Sequence, residues 1–390
     1  MSHSVTSETA PISEDVRWMR RALEVARLGE GSVEPNPMVG CVIVKEGQLI
    51  AEGWHGHFGG PHAEIEALRK AGSNAKGSTL YVTLEPCCHY GKTPPCTEAI
   101  LPSGIRRVVV AMRDPFPKVS GGGIRQLSDA GILVDVGICE AEAAKLCRPY
   151  LHLIQHHRPW VMAKWAMTLD GKIATRASSS RWISGAKSRA IVHQLRGRVD
   201  AIMVGRQTAE VDDPMLTARP EELAALPELS ALATTGFPRV ATRIVIDSKA
   251  RLSLNSKLVK TAKQIPTLIA VGPEADEAHI RRLSSAGCEV LPFAAETYYE
   301  RHLQLLEELG RRKMTNVLVE GGGQLLGGLF DGGLIDEVHV FVAPKLIGGQ
   351  KAPSPIAGAG IAQMQNALTL GDFEANRLDD DLYLRGTINR

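Results

Sequence analysis

The sequence contains no apolar run approaching the length of a membrane-spanning helix. It also lacks net charge: 45 Lys and Arg stand against 43 Asp and Glu, leaving +2. A broad electrostatic footprint for nucleic acid is therefore not expected, although a local basic patch stays open. Cysteine is sparse. The seven, at positions 41, 87, 88, 96, 139, 147 and 288, are odd in number and scattered, unlike a disulfide framework. Free thiols fit a reducing compartment, so the cytoplasm is the expected location. Met1 to Ala10 is rich in Ser and Thr and has no apolar h-region. It reads as part of a flexible tail over residues 1–13, not as a signal peptide.

What is present suits a soluble globular protein: 44% apolar and 23% charged residues. A chain of 390 residues exceeds the usual single domain. We expect two, over 14–157 and 158–390, joined near His156-His157-Arg158-Pro159. In the first, Ser13 is placed to cap a helix through about Leu28, with Val16, Met19, Leu23 and Ala26 on one face. Residues 39–44 and 49–54 read as strands joined by a turn at Glu46-Gly47. Residues 107–112 and 133–136 are further strands around a helix at 124–129, and 140–157 reads as one closing helix. This alternation gives a three-layer α/β/α sandwich.

The chemistry concentrates between His62 and Cys96. Pro61-His62-Ala63-Glu64 is followed by Glu85-Pro86-Cys87 and Pro94-Pro95-Cys96. One imidazole and two thiols form the ligand set of a catalytic zinc site with an open position. Glu64 is not needed as a ligand and is free to carry protons, as in zinc-dependent base deaminases. A closed structural site would want a fourth ligand, for which His89 is the only nearby candidate; Cys88 could also replace Cys87. Pro61, Pro86 and Pro95 suggest that His62, Cys87 and Cys96 each lie at the start of a helix, where the dipole favours thiolate and carboxylate. Pro35-Asn36-Pro37 is either an Asx-type turn or a pocket contact. His55 and His57 could touch a substrate or be merely solvated, and neither is assigned.

These residues resemble the bacterial riboflavin-biosynthesis bifunctional deaminase–reductases. The match runs through Pro35-Asn36-Pro37, His62-Ala63-Glu64, Leu84-Glu85-Pro86-Cys87, Gly91-Lys92-Thr93-Pro94-Pro95-Cys96 and Asp114-Pro115. The eight-residue gap between the cysteines sets this family apart from cytidine and tRNA-adenosine deaminases. The resemblance implies a cytidine-deaminase-like fold, Zn2+ on His62, Cys87 and Cys96, and Glu64 as proton carrier. It implies substrate contacts from Asn36, His89, Lys92 and Asp114. Phe116 departs from the family, which often carries Asn there.

In the second half, residues 160–173 read as a strand entering an Asp-Gly turn. A helix is expected at 188–196, and strands at 200–205, 243–247, 267–271, 317–320, 337–343 and 382–388. Helices are expected at 276–286, 297–312 and 324–330. Residues 208–219 read as polar and turn-rich, and 220–238 as a short surface helix and loop. Gly321-Gly322-Gly323 is either a tight packing turn or a place where backbone amides meet a phosphate. This half is similar to the reductase domain of the same family, with a dihydrofolate-reductase-like fold. The matching pieces are Thr168-Leu169-Asp170-Gly171-Lys172 with Lys164, Ser180-Arg181-Trp182-Ile183-Ser184, residues 205–219, Ile246-Asp247-Ser248 and Val319-Glu320-Gly321-Gly322. The resemblance implies NADPH contacts from Ala166, Trp182, Thr208, Asp212, Ser248, Gly322, Gly323, Gln324, Leu325 and Leu326. It implies substrate contacts from Lys164, Ser180, Arg196, Leu216, Arg219 and Glu320.

The expected activity is hydrolytic deamination of a diaminopyrimidinone carrying phosphoribosylamine, then NADPH-dependent reduction of its ribosyl group to ribityl. The expected partners are these small molecules and further copies of the chain, not nucleic acid or membrane. Two rivals stay open: a base deaminase acting on RNA with the second half as a binding module, and a chain with only one active half.

Overall fold

The computed structural model describes residues 13–219, 221, 239–295 and 297–389. The tail expected before Ser13, and almost all of the surface helix and loop expected over 220–238, lie outside the described residues. The chain divides into two compact units between Ile154 and Gln155. Among the described residues no helix is long and apolar enough to cross a membrane.

The N-terminal unit opens with α1 (Glu14–Ala26), whose N-cap Ser13 accepts from the amide of Val16. Strands β1 (Gly40–Lys45) and β2 (Gln48–Trp54) form a hairpin. Its turn residues Glu46 and Gly47 have φ of 50° and 72°, the left-handed pair that matches strand twist. Then follow α2 (Ala63–Ala71), β3 (Thr79–Val82), α3 (Cys96–Ile100), β4 (Arg107–Val110), α4 (Gly122–Asp129), β5 (Leu133–Val136), α5 (Glu140–Leu146) and α6 (Arg148–His156). The sheet order is β2-β1-β3-β4-β5, with β1 antiparallel to both neighbours and β3, β4 and β5 parallel.

Side-chain alternation builds the layers. Cys41, Ile43, Leu80, Val82, Val108 and Val110 pack with Ala63, Ala67, Ile100 and Leu127 of the helices on one face. Val42, Val44, Tyr81 and Val109 meet Met19, Ala22, Leu23 and Ala143 on the other. Gly53 allows the closest approach: a Cβ there would lie 2.4 Å from the Ala63 carbonyl oxygen and 2.5 Å from the Ala67 nitrogen. The first turn of α2 therefore rests directly on the β2 backbone.

The closing helix expected over 140–157 is two helices, separated at Cys147. Pro149, in the first turn of α6, has no N–H with which to continue the α5 ladder. Nor does Cys87 open a helix; it lies in irregular backbone, whereas Cys96 is the first residue of α3.

The C-terminal unit contains β6 (Trp160–Thr168), α7 (Ala186–Arg196), β7 (Ala201–Gly205), α8 (Arg206–Asp212), β8 (Thr242–Ile246), α9 (Lys257–Lys260), β9 (Thr267–Val271), α10 (Glu277–Ser285), β10 (Glu289–Pro292), α11 (Tyr298–Arg311), β11 (Asn316–Glu320), α12 (Gly323–Asp331), β12 (Glu337–Ala343), β13 (Leu370–Leu378) and β14 (Asp381–Ile388). Its sheet order is β10-β9-β8-β7-β11-β6-β12-β14-β13. From β10 to β12 all pairings are parallel; β14 and β13 add an antiparallel edge. One face packs Leu305, Leu306 and Leu309 of α11 and Leu325, Leu326 and Leu329 of α12. The other packs Ala209 of α8, Leu258 of α9 and Leu283 of α10.

The stretch expected to be turn-rich from Thr208 contains α8. Ala209 buries against the sheet, and that tertiary contact overrides the polar local pattern. Strands β10 and β13 carry little apolar alternation and were not expected; most of β13 is exposed. At the start of β6, Asp336 accepts from both arms of Arg158, at 3.0 and 3.2 Å, and from the Val161 amide.

Glu337 sits beside this start, accepting from Trp160 Nε1 at 2.9 Å and from Arg385 Nε at 2.5 Å. Burial pushes its carboxyl up, but His339, Arg385 and Trp160 outweigh burial and hold it near 2 against an ordinary 4.5. The unfolded chain therefore takes up this proton first. The contribution is complete above about pH 4.5 and fades towards pH 2, by roughly 3 kcal/mol in all. Melting of wild type and Glu337→Gln from pH 7 to pH 3 should show a shallower acid decline in the variant.

Candidate functional site

The first site assembles at the helix N-termini of the N-terminal unit. His62 is the N-cap of α2, and Cys96 begins α3 behind Pro95. His62 Nδ1 lies 3.2 Å from Cys96 Sγ and 3.5 Å from Cys87 Sγ. The three donor atoms all fall within 4.8 Å of one another. No fourth His, Cys, Asp or Glu joins them among the described residues, His89 included. Cys88 turns its sulfur towards the Lys118 carbonyl at 3.8 Å, which leaves Cys87 as the thiol facing His62.

Glu85 holds the segment that delivers Cys87. It is 4% exposed. Its Oε1 accepts from the amides of Gly123 and Ile124 at 3.0 and 3.2 Å, and its Oε2 from those of Gly121 and Asp114 at 3.0 and 3.3 Å. Gly123 is required by contact: a Cβ would fall 2.0 Å from the Pro86 carbonyl oxygen.

The donors are chemically poised. The Cys96 thiol, with help from His62 and the Cys96 amide, pulls the Cys87 thiol down to about 4, against the effect of burial. Cys96 is pushed up by the same pairing and by burial. The contact with Cys87 raises the imidazole of His62. Glu64, 3% exposed in the first turn of α2, has its carboxyl raised chiefly by burial. Two sulfurs and an imidazole nitrogen converging on one point, with a carboxyl at the side, fit zinc in number and kind of donor.

His55, unassigned from sequence, belongs to this site. It is 2% exposed, and its Nδ1 lies 2.9 Å from the Pro61 carbonyl, which can only accept. Nδ1 therefore carries the proton, and Nε2 accepts from the Asn36 side-chain amide at 3.0 Å. That fixes the Asn36 amide, with its oxygen turned away from His55. The ring also stands edge-on to His62, with centroids 5.3 Å apart. Strand parity carried the signal: Ala51, Gly53 and His55 are buried in alternation. His57 is exposed.

His89 has a buried Nδ1 without a hydrogen-bond partner, and its ring tilts against Phe116 with centroids 5.9 Å apart. Lys92 is exposed, with Nζ 3.7 Å above the Phe58 ring. Asp114 is buried; its Oδ1 accepts from the Phe116 amide at 2.9 Å and from the Tyr150 hydroxyl at 2.8 Å. Burial raises its carboxyl.

The second site lies at the C-terminal ends of the parallel strands, the usual ligand edge of such sheets. Glu320 of β11 pairs in register with Lys164 of β6. Arg196, the last residue of α7, forks the Glu320 carboxylate at 2.6 and 2.9 Å and also donates to the Thr217 carbonyl. Burial would raise the Glu320 carboxyl, but Arg196 and Lys164 hold it down. Burial lowers the Lys164 ammonium, with Glu320 opposing. Ser180 donates to Asp212 Oδ1 at 3.3 Å. Trp182 is exposed, with the Arg189 guanidinium 4.8 Å from its ring and its carbonyl accepting from Lys345.

Gly321 and Gly322 have φ of 72° and 86°, which side-chain-bearing residues resist. Gly322 caps α12, and a Cβ there would come 3.2 Å from Thr208 Oγ1. Leu325 and Leu326 point into the core, so their backbone alone can face a ligand at this turn; Gln324 is exposed. Leu216 is likewise core, and Arg219 is exposed. Ala166 lies on β6 beside Phe341, and Ser248 follows β8.

Comparison with known proteins follows this division. Residues 12–112 match the cytidine and deoxycytidylate deaminase zinc-binding region, and residues 159–384 match the RibD C-terminal domain. The riboflavin biosynthesis protein RibD of Actinobacillus pleuropneumoniae is 39% identical over 98% of both chains. The chain belongs to the RibD family. Its RibD relative in Aquifex aeolicus is 39% identical over 95% of this chain and 97% of that one. A solved Acinetobacter baumannii RibD superposes with TM-score 0.82 at 37% identity, covering 96% of this chain and 99% of that one. A Thermotoga maritima structure, titled a diaminohydroxyphosphoribosylaminopyrimidine deaminase/5-amino-6-(5-phosphoribosylamino)uracil reductase, gives 0.79 at 34% identity, covering 96% and 99%. As a RibD, the chain is a bifunctional riboflavin-biosynthesis enzyme with an N-terminal deaminase and a C-terminal reductase.

Two substitutions test the geometry. His55→Phe should retain one zinc per chain by metal analysis while lowering deamination kcat/KM about tenfold or more, because Asn36 loses its anchor. Glu85→Ala leaves four amides, two buried and two part-buried, without their acceptor. It should destabilise the N-terminal unit by roughly 3 kcal/mol or more in urea titrations.

Proposed function

We propose that residues 14–157 hydrolytically deaminate 2,5-diamino-6-(5-phosphoribosylamino)pyrimidin-4-one, and that residues 158–390 reduce the resulting 5-amino-6-(5-phosphoribosylamino)uracil with NADPH. The observation carrying the first half is the three-donor cluster of His62, Cys87 and Cys96 with buried Glu64 beside it. Held by those three residues, zinc supplies the Lewis acidity that makes water nucleophilic near neutral pH. Glu64 takes one proton of the attacking water and gives it to the ring nitrogen; it then takes the second, from the hydroxyl added to the ring carbon, and gives it to the amino group, which departs as ammonia. Asn36, held by His55, and the unpartnered Nδ1 of His89 orient the pyrimidine. Lys92 and Asp114 complete the substrate contacts.

In the second half, Thr208, Ser248, Gly322, Gly323 and the backbone of Gln324, Leu325 and Leu326 hold the cofactor, with Ala166, Trp182 and Asp212 along its length. The two glycines with positive φ at the N-terminus of α12 fit a phosphate-bearing dinucleotide. NADPH supplies a hydride to C1 of the ribosyl group in its open imine form. The imine nitrogen needs a proton, which we assign to Lys164, whose burial makes its ammonium a better acid. Arg196 positions Glu320 against the sugar. Ser180, Leu216 and Arg219 line the remainder of the substrate site.

The described cysteines are all free, which supports a cytoplasmic enzyme. Leu370 and Phe373 of β13 and Met364 before it are exposed, which supports association between copies of the chain. Near-zero net charge supports small-molecule substrates over nucleic acid.

The test follows ammonia release from the diaminopyrimidine substrate, with tRNA offered in parallel. Glu64→Ala should lower deamination by about 10²–10⁴-fold. NADPH oxidation on pre-deaminated substrate should be unchanged. Turnover of tRNA alone, or loss of both activities in a folded variant, would sink the proposal of two independent sites on one substrate series.

A further inference from the structure

The break between α5 and α6 sets two donors against the deaminase site. Cys147, at the break, donates from Sγ to the Met38 carbonyl at 3.4 Å. Met38 directly follows Pro35-Asn36-Pro37, so this contact steadies the turn that carries Asn36. Three residues on, in the first turn of α6, the Tyr150 hydroxyl donates to Asp114 Oδ1 at 2.8 Å. The Leu151 amide donates to the Cys147 carbonyl at 2.9 Å, so Cys147 is joined to that turn. Residues three apart share one helix face. One short surface therefore braces two segments of the site.

We infer that Tyr150 is a positioning residue of the deaminase, fixing the Asp114 carboxylate so that Oδ2 meets a hydrogen-bond donor of the substrate. The inference rests on the reading of Asp114 as a substrate contact.

Three observations support it. The first is how the carboxylate is loaded. Oδ1 accepts twice, from the Phe116 amide at 2.9 Å and from Tyr150, whereas Oδ2 accepts from no described residue. A carboxylate serving only to close the Phe116 turn would need one donor, and the amide already supplies it. An ionised carboxylate only accepts, so the bare oxygen suits a hydroxyl or N–H of the substrate.

The second is the donor. Burial and Asp114 both push the Tyr150 phenol up, so it keeps its proton and donates. Phe116, where the family often carries Asn, has no side-chain donor to share the task. Among the described residues, Tyr150 makes the one side-chain hydrogen bond to Asp114.

The third is the frame. The Asp114 amide donates to Glu85 Oε2 at 3.3 Å, which ties its backbone to the segment delivering Cys87. A single amide leaves Oδ1 free to swing about that contact. A second donor, from another element, fixes its place and with it the direction of Oδ2. His89, whose ring tilts against Phe116, helps to keep the carboxyl charged. An acceptor held in place before the substrate arrives improves binding without touching the reacting carbon, so its loss falls on KM.

The test follows ammonia release from 2,5-diamino-6-(5-phosphoribosylamino)pyrimidin-4-one by the full-length zinc-loaded enzyme. Tyr150→Phe should raise KM about tenfold, change kcat by less than about twofold, and retain one zinc per chain. Asp114→Asn should raise KM at least as much. In the Asp114→Asn background, Tyr150→Phe should add little, because the two residues act as one. Reduction of pre-deaminated substrate should be unchanged in each variant. Wild-type KM in Tyr150→Phe, with KM raised in Asp114→Asn, overturns the inference and leaves the Asp114 reading standing. So do additive losses in the double variant, or a joint loss of zinc and kcat in Tyr150→Phe, which marks a structural role. An unchanged KM in Asp114→Asn overturns the substrate-contact reading, and the inference with it.

Discussion

The N-terminal site depends on one buried carboxylate that takes no part in chemistry. Glu85 gathers four backbone amides from the loop after β4 and the start of α4. These amides include the early, otherwise unsatisfied donors of that helix. An anion at a helix N-terminus is well placed electrostatically, and accepting several amides makes the arrangement rigid. Since Glu85 lies two residues before Cys87, the sulfur inherits that rigidity. Cys96 and His62 are fixed by their own helix starts, so the three donors arrive from three separately anchored segments.

The C-terminal unit solves a different problem. Lys164, Arg196 and Glu320 bring two positive charges and one negative charge to the edge of a sheet buried on both faces. Burying charge is unfavourable unless every partner is in place. The in-register pairing of β6 with β11 and the end of α7 supply that placement. Removing Glu320 would leave Lys164 and Arg196 buried without their counter-charge, which ties the site's integrity to the sheet register.

Much of this was legible in the residues. The spacing from His62 to Cys96 named the donor set, because few combinations of imidazole, thiol and adjacent carboxylate serve another purpose. Strands rich in Val and Ile, such as β9 and β12, stood out because both faces are buried. What escaped had physical causes. β13 exposes most of its side chains and shows no apolar alternation. α8 is polar except where Ala209 meets the sheet. A single proline divides α5 from α6, although the helical pattern runs through it. His55 was passed over because histidine types do not distinguish a solvated loop from a buried relay; the inward parity of β2 does. The pairing of Arg196 with Glu320 joins residues 124 positions apart, beyond the reach of local pattern.

The direct seating of α2 on Gly53 ties ion retention to the integrity of one layer. The helix turn that follows His62 has no side-chain cushion between it and the β2 backbone. A fluctuation that lifts this turn moves the imidazole away from both sulfurs at the same moment. Zinc escape and breathing of the α2 layer should therefore share one activation barrier, and a chelator's trapping rate becomes a clock for motion in the hairpin beneath.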